Sequence, residues 1–476
     1  MLSARWIKSL TLLAMCLGLF MPQLDTTVVN LALPSIQRSL HTDIGALQWV
    51  IDSYNLTFAS LLLLGGTLGD LFGRRRIFLI GLALFTAGSL LCGFAVTFPL
   101  LVIGRVLQGV GAALELPGTL SILTITYSDP KERERAIGIW ASMAGVALGI
   151  GPTAGAFLVD TLGWQSIFFM NIPIGLLTLV ITVGIVSESF HPEGRRVDLP
   201  GQMLVALSLT ALTYAVIESQ AWGWSSPLII GGLVLAAVCL VMFILVEQRT
   251  LAPMVPLGIF KQRTFSASLA IASMMTFGMY GMFFLISLYL QLVKYDSALL
   301  AGLQLVPLSI TFVIASPAAG RLMNRVGLRR LMTIGMALMG GGILLFATLT
   351  PETAYSFLVV VMALIGIGVG FTMGPVLAVA VGSVSHERSG MASGFANVAR
   401  MLGATLGVAV LGSILAGHLV SGHGSAPFIA GLHTAFLVGG CIELLGAALT
   451  IACIPQMINR RSQEIAEKQV PASSHV

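Results

Sequence analysis

Charged residues are scarce in this sequence. Only 9% of its 476 residues are Asp, Glu, Lys or Arg, against about 25% in a typical soluble chain. Apolar residues make up 56%, and the mean hydropathy is +0.95. So few charges cannot cover a surface that water must solvate, which excludes an ordinary soluble enzyme, a disordered protein and a partner for nucleic acid.

Cysteine is also rare. The five cysteines all lie in apolar runs and form no Cys-x-x-Cys pair, so neither a disulfide framework nor a zinc site is supported. The phosphate-binding pattern Gly-x-x-x-x-Gly-Lys-Ser/Thr is absent, which disfavours a pump that hydrolyses ATP itself. We therefore expect no metal and no cofactor.

What the chain has in abundance is long apolar runs. A helix that crosses a bilayer needs about 20 mostly apolar residues, and the sequence offers fourteen such segments. They are 9–29, 45–66, 77–97, 100–124, 136–159, 164–186, 200–220, 227–246, 267–291, 299–320, 331–350, 355–382, 392–418 and 430–454. The first continues into a polar segment without a cleavage site, so we interpret it as an uncleaved helix rather than a signal peptide.

The positions of Lys and Arg predict the orientation. With fourteen spans, alternate loops and both termini fall on one side, and that side holds 21 of the 25 basic residues, against two on the other side. Basic loops stay in the cytoplasm. We therefore expect a multi-pass protein of the inner (plasma) membrane with both termini cytoplasmic and the lipid bilayer as its surroundings.

An internal repeat divides the chain. Gly66-Thr-Leu-Gly-Asp-Leu-Phe-Gly-Arg-Arg-Arg76 matches 320–330 at five positions with an offset of 254 residues, and Glu134-Arg135 matches 387–388 at an offset of 253. Parallel repeats around a central path are typical of a large class of transporters. We predict a six-helix bundle (1–190), a two-helix insertion (191–265), a second six-helix bundle (266–456) and a cytoplasmic tail (457–476).

Several segments resemble signatures of one family. The loop 66–76 resembles the motif shared across the major facilitator superfamily. The segment 105–117, Arg-Val-Leu-Gln-Gly-Val-Gly-Ala-Ala-Leu-Glu-Leu-Pro, resembles the fourth-helix motif of its proton-coupled members, and 145–156 resembles the fifth-helix motif of its antiporters. The segments 24–34, 49–54 and 198–201 look like those of its drug:proton antiporters with fourteen transmembrane helices.

The resemblance implies both fold and function. It implies an all-α integral membrane protein with the major facilitator fold, arranged as 6 + 2 + 6 helices, and no enzyme. The implied activity is export of hydrophobic, cationic drugs or toxic compounds by drug:proton antiport with alternating access, with protons as the coupling ion and the protein as a monomer. A dedicated exporter of one metabolite or self-made antibiotic is the alternative, and a multispan membrane enzyme is a remote one.

Two acids in the first two spans are candidates for proton or substrate binding. A charge at the bilayer centre costs about 2.5–3.5 kcal/mol on insertion scales, so Asp25 and Asp52 are expected to face a cavity or a partner. In the family that the chain resembles, quaternary-ammonium exporters carry an acid at the position of Asp52. Trp49 lies one turn away and would add a cation–π surface, or else anchor the helix at the interface.

The fourth span carries a second candidate group. At 100° per residue, Arg105, Gln108 and Glu115 fall within an arc of about 80°, which presents a cation, an amide and an acid to the interior. The resemblance implicates Arg105 in proton transfer. Glu115 is either a second proton carrier or a structural partner. Arg400 and Glu443, in later spans, are interpreted as structural.

Small residues and one charged loop are candidates for gating. Gly149, Gly151, Pro152 and Gly155 place small residues on one face of span five, which permits close helix approach, and the resemblance places that helix between the halves. In the loop after span two, Gly73 permits a tight turn and Asp70 is expected to hold an arginine or a helix N-terminus. The gating residues of this loop are Gly66, Asp70, Gly73, Arg74 and Arg75.

Overall fold

The computed structural model describes residues 3–190, 198–250, 255, 257–384, 388–420 and 425–456, and every regular element in those ranges is helical. The helices are α1 (Ala4–Leu40), α2 (Ile44–Phe72), α3 (Arg74–Gly93), α4 (Phe98–Thr126), α5 (Pro130–Leu162), α6 (Ser166–Phe169), α7 (Asn171–Ile185), α8 (Leu199–Trp222), α9 (Pro227–Arg249), α10 (Arg263–Leu288), α11 (Ala298–Gln304), α12 (Val306–Val326), α13 (Leu328–Phe346), α14 (Tyr355–Gly382), α15 (Ser389–Val420) and α16 (Ser425–Cys453).

Fourteen segments of the described chain are long and apolar enough to cross a membrane, as predicted. Two of them are built from consecutive helices, since α6 and α7 together form the sixth span and α11 and α12 form the tenth. A π-helical turn, Tyr289–Val293, extends α10. The first span covers Arg5–Leu40, well beyond the predicted 9–29, because the helix continues through polar residues that a hydropathy reading discounts.

Local signals fix several helix starts. The Asp43 side chain accepts a hydrogen bond from the Ala46 amide at 2.8 Å and begins α2. Asp129 does the same for Glu132 at 3.0 Å, and proline follows it at the first position of α5. Such N-caps satisfy backbone donors that the helix itself leaves open.

The repeat is visible in the backbone. Gly73 ends α2 with φ of +111°, and Gly327 ends α12 with φ of +88°. These are the two glycines that the sequence repeat aligns, and both adopt a conformation that residues with a side chain rarely take. The same tight turn therefore follows the second helix of each repeat.

The helices pack as two groups joined by a hairpin. Among α1–α7 the principal contacts are α3 with α4, α2 with α4 and α1 with α5; among α10–α16 they are α10 with α15 and α14 with α12 and α13. The groups meet where α2 contacts α15 and where α5 contacts α11 and α12. Helix α8 packs on α9 and also touches α2 and α15, so the inserted hairpin contacts both groups.

The predicted division into domains stays a prediction. The tail 457–476, the segment 191–197 of the predicted insertion and Glu387 of the second repeat match lie outside the described residues. The ends of the helices that lie away from the arginine-rich loops are called the outer ends below.

Candidate functional site

A buried ion pair joins α1 to α4. The Arg105 side chain, 1% exposed, donates from Nη1 to Asp25 Oδ2 and, at 2.8 Å, to Gln108 Oε1. Gln108 Nε2 donates to Asp25 Oδ1 at 3.1 Å and to Ser89 Oγ at 2.8 Å. Three of the sequence candidates therefore form one hydrogen-bonded cluster, which we call the Asp25–Arg105–Gln108 cluster.

Helix α2 supports this cluster from the side. Arg105 Nε donates to the Val50 carbonyl at 2.8 Å, and the guanidinium lies 4.4 Å from the centre of the Tyr54 ring. A guanidinium over an aromatic face gains cation–π attraction, more so when it is removed from water. The arginine is thus held by an acid, an amide, a carbonyl and a ring.

Asp52 lies at a contact between the two helix groups. It is fully buried and sits one turn from Gln48, whose Nε2 donates across to the carbonyls of Val408 (3.0 Å) and Ala409 (2.8 Å) of α15. Neither carboxyl oxygen of Asp52 has a hydrogen-bond partner among the described residues. An ionised carboxylate in such surroundings is costly unless something neutralises it.

Glu115 does not join the cluster. It lies seven residues beyond Gln108 on α4, and both of its carboxyl oxygens are buried without a hydrogen-bond partner in the described chain. Its backbone packs tightly on α3, where a Cβ on Gly81 would come within 2.6 Å of the Glu115 nitrogen. The shared arc on α4 therefore does not bring Glu115 to Arg105.

Trp49 points towards the inserted hairpin. Its Nε1 donates to Glu218 Oε1 of α8 at 3.0 Å, and its ring lies 6.2 Å from that of Tyr214. The sequence suggested an aromatic surface serving Asp52 or an interfacial anchor. Instead the indole is engaged by α8, because the insertion packs on this side of α2.

The charged loop after α2 forms its contacts within the first helix group. Arg74 donates to Asp70 Oδ1 from Nε (2.9 Å) and Nη2 (2.7 Å). The Glu188 carboxylate accepts from the backbone amides of Arg75 (3.0 Å) and Arg76 (3.2 Å), at the start of α3. A Cβ on Gly73 would come within 2.7 Å of that carboxylate.

Two further residues of this loop have clear places. Arg75 Nη2 donates to the Val183 carbonyl of α7 at 2.6 Å. A Cβ on Gly66 would meet Pro117 of α4 at 3.6 Å, an ordinary packing distance. Glu188 is a partner that the sequence did not single out, because it lies 113 residues from Arg75 and carries no motif.

The small residues of α5 lie between three helices. Gly151 faces Thr27 and Gly155 faces Val28, both on α1. Gly149 faces Val313 of α12. A Cβ on Gly302 of α11 would lie 2.6 Å from the Pro152 carbonyl. This face of α5 therefore allows close approach both within the first group and across to the second, as the sequence predicts.

Hydrogen bonds close the outer ends of the two groups. Ser287 Oγ and Gln291 Nε2 of the tenth helix and its extension donate to the carbonyls of Asn30 (2.7 Å) and Leu31 (3.1 Å) on α1. Asp160 of α5 accepts from the amides of Ala298 (3.1 Å) and Leu299 (2.8 Å) at the start of α11. These contacts join helices of different groups and hold their outer ends together.

Comparison with known proteins identifies the family. The sequence profile described as Major Facilitator Superfamily matches residues 15–408. The chain belongs to the Major Facilitator Superfamily. It is thus a multi-pass plasma-membrane protein of a family of transporters, and the prediction of its fold is confirmed.

Curated relatives of this superfamily member are resistance proteins. The chain is 41% identical over 411 residues to "Multidrug resistance protein Stp" of Mycobacterium tuberculosis, covering 86% of this chain and 76% of the relative. It is 36% identical to "Methylenomycin A resistance protein" of Bacillus subtilis, covering 92% of each. It is 33% identical to "Tetracenomycin C resistance and export protein" of Streptomyces glaucescens, covering 85% and 76%.

A solved structure supports the fold alone. A peptide transporter of the POT type, crystallised with sulfate, superposes with a TM-score of 0.70 at 13% sequence identity, covering 97% of this chain and 99% of that one. At this identity the likeness carries no information about cargo.

Proposed function

We propose that this superfamily member exports hydrophobic, cationic drugs or toxic compounds by drug:proton antiport with alternating access. The single observation that supports this most is the Asp25–Arg105–Gln108 cluster, a buried carboxylate held by an arginine in the interior of a transporter fold. The names of its relatives support drug export, and proton coupling is typical of the family.

Competition between a proton and the cargo accounts for the coupling. A cation that approaches Asp52 favours its ionised form and expels its proton, and a returning proton expels the cation. Such linkage is reciprocal, since each ligand weakens the binding of the other by the same factor. In this scheme the Asp25 carboxylate takes up a proton and so gives up its ion pair with Arg105, which stays charged. Gln108 orients the acid, and Glu115 is a second carrier.

Alternating access uses the contacts between the groups. Opening at the outer end requires loss of the bonds from Ser287, Gln291 and Asp160 and separation of α5 from α11. The loop around Asp70 and Arg74, with Gly66, Gly73 and Arg75, would stiffen the opposite end as the groups rock. Both termini are cytoplasmic in this proposal, protons serve as the coupling ion without a cofactor, and the working unit is a monomer.

A dedicated exporter is the second candidate. Two of the relatives carry the name of a single antibiotic, methylenomycin A or tetracenomycin C. A chain of this kind would move one compound class and ignore unrelated dyes.

Transport in proteoliposomes tests the proposal. Purified protein is reconstituted into liposomes. Ethidium uptake is measured first with an imposed pH gradient and then after a protonophore has collapsed that gradient. We expect uptake only with the gradient, and Asp52→Asn to lower it at least about tenfold, because the amide binds neither the proton nor the cation as a carboxylate does. The control is Glu352→Gln, which removes an exposed acid.

The outcomes separate the alternatives. Transport that persists at full rate without the gradient contradicts proton coupling. Gradient-driven transport that Asp52→Asn leaves unchanged removes this acid from the mechanism. Movement of one antibiotic but of no dye supports the dedicated exporter.

A further inference from the structure

Arg400 of α15 is an embedded cation without an ion-pair partner. It lies ten residues after the start of the thirteenth span, Gly390–Leu419, which is about 15 Å along the helix at about 1.5 Å per residue. Its Nη1 donates to Asn397 Oδ1 at a long 3.4 Å, and its Nε is buried without an acceptor. No carboxylate in the described chain lies within salt-bridge distance of it.

The contrast with Arg105 is informative. Both arginines are embedded, yet Arg105 has a carboxylate, an amide, a carbonyl and a ring, whereas Arg400 has one distant amide. A guanidinium carries five N–H donors and no acceptor. Embedded charges are expensive and mark substrate or ion pathways when the protein keeps them. An anionic group would supply the hydrogen-bond acceptors that the Arg400 guanidinium lacks.

Arg400 also lies near the contact between the two helix groups. Its carbonyl accepts a hydrogen bond from Thr276 of α10 at 2.6 Å, so this turn of α15 packs on α10. The neighbouring side chains Val398 and Met401 belong to the same apolar cluster as Tyr54 and Phe58 of α2. Arg400 therefore sits between α10 and the first helix group, and its side chain is half-buried rather than sealed.

We propose that Arg400 binds an anionic group, foremost a carboxylate, of the exported compound. This rests on the proposed export of organic compounds and narrows their class. A guanidinium binds a carboxylate through two parallel N–H···O bonds. Asp52, on the face of α2 that contacts α15, supplies the opposite charge for a cationic group. The preferred cargo is thus a hydrophobic compound that carries both a cation and a carboxylate.

A pair of dyes isolates the carboxylate. Rhodamine 110 and rhodamine 123 share one cationic ring system, and the second is the methyl ester of the first. Dissociation constants for both are measured by fluorescence anisotropy on the full chain in neutral detergent, for the wild type, Arg400→Gln and Arg400→Lys. Arg325→Gln, which removes an exposed arginine after α12's apolar part, is the control.

We expect Arg400→Gln to weaken binding of rhodamine 110 at least about tenfold and that of rhodamine 123 less than about twofold. Arg400→Lys restores part of the difference, since lysine keeps the charge but not the paired donors. Equal losses for both dyes would make Arg400 a structural residue, and no loss for either, or a wild type that binds neither, would overturn the inference.

The same protein in liposomes keeps the two proposals separate. If Arg400→Gln discriminates between the dyes but transport ignores the pH gradient, proton coupling fails and the carboxylate site stands. If transport follows the gradient and the variant treats both dyes alike, the carboxylate site fails and the exporter stands.

Discussion

The ion pair between Arg105 and Asp25 has a structural and a functional side, and substitutions separate them. Removing one partner leaves the other charge buried and unpaired, which costs about 3–5 kcal/mol. We expect Arg105→Gln and Asp25→Asn each to lower the thermal unfolding temperature in detergent. The double variant Asp25→Asn with Arg105→Gln should lose less than the sum, because no unpaired charge remains.

Transport by the two single variants and the double variant is the second measurement. The double variant should stay as inactive in gradient-driven ethidium transport as either single variant, because the titratable acid is gone. A double variant that regains both stability and transport would show that the pair only holds α1 to α4. Ser208→Ala, which removes one hydrogen bond inside the α8–α9 hairpin, is the control for a general loss of stability.

Helix geometry predicts correctly which residues of one helix share a face. It does not predict which residues of other helices they contact. The 100° arc predicts that Arg105 and Gln108 share a face, and both meet Asp25. That Asp25 is the partner depends on how α1 packs on α4, across 80 residues. Glu115 fits the same arc but is directed elsewhere. The direction of Trp49 depends on α8, which no pattern near Trp49 reveals.

At the scale of helices, Asp160 of α5 caps the start of α11 from the other helix group, beside that helix's own N-cap Ser297. It accepts from two amides at the start of α11, and loss of such a cap costs about 1 kcal/mol. No motif in the sequence indicates this contact, which joins residues that lie 138 and 139 positions apart. Because opening at the outer end in the proposed transport cycle breaks these bonds, Asp160→Ala should shift the protein about fivefold towards opening there.

Cysteine labelling measures this shift. Ala301 of α11 is fully buried, and Ala301→Cys should react with a membrane-impermeant maleimide about fivefold faster when Asp160→Ala is added. The control is Asp296→Ala, whose side chain bonds Gln304 within the same helix group. Equal rates in the presence and absence of Asp160→Ala would contradict a role for the cap in closure.

Turn chemistry was the most predictable part of the elements. Gly73 and Gly327, aligned by the repeat, both take positive φ, because only glycine turns so tightly at low cost. The breaks between α6 and α7 and between α11 and α12 lie inside continuous apolar runs. They were missed because hydropathy does not register a local change in the hydrogen-bonding pattern.

At the scale of the whole molecule, the series of long apolar runs predicted the number of spans. Fourteen apolar helices follow from the cost of exposing an unpaired backbone to lipid, and all fourteen are present in the described chain. What composition could not predict is that α8 contacts both α2 and α15. Those contacts include Ser413 Oγ donating to the Val216 carbonyl at 2.8 Å, a bond between side chain and backbone without a sequence signature.

The distribution of basic residues predicts the orientation of the whole molecule, and reporter fusions measure it. A green fluorescent protein fused after Val476 should fluoresce, and alkaline phosphatase inserted after Ser225, in the turn between α8 and α9, should be active outside the cytoplasm. The reason is the excess of 21 to 2 in Lys and Arg, which holds the basic loops in the cytoplasm. Exchanging the two reporters should leave both inactive. An active phosphatase at the C-terminus would mean that the chain crosses the membrane an odd number of times or has the opposite orientation.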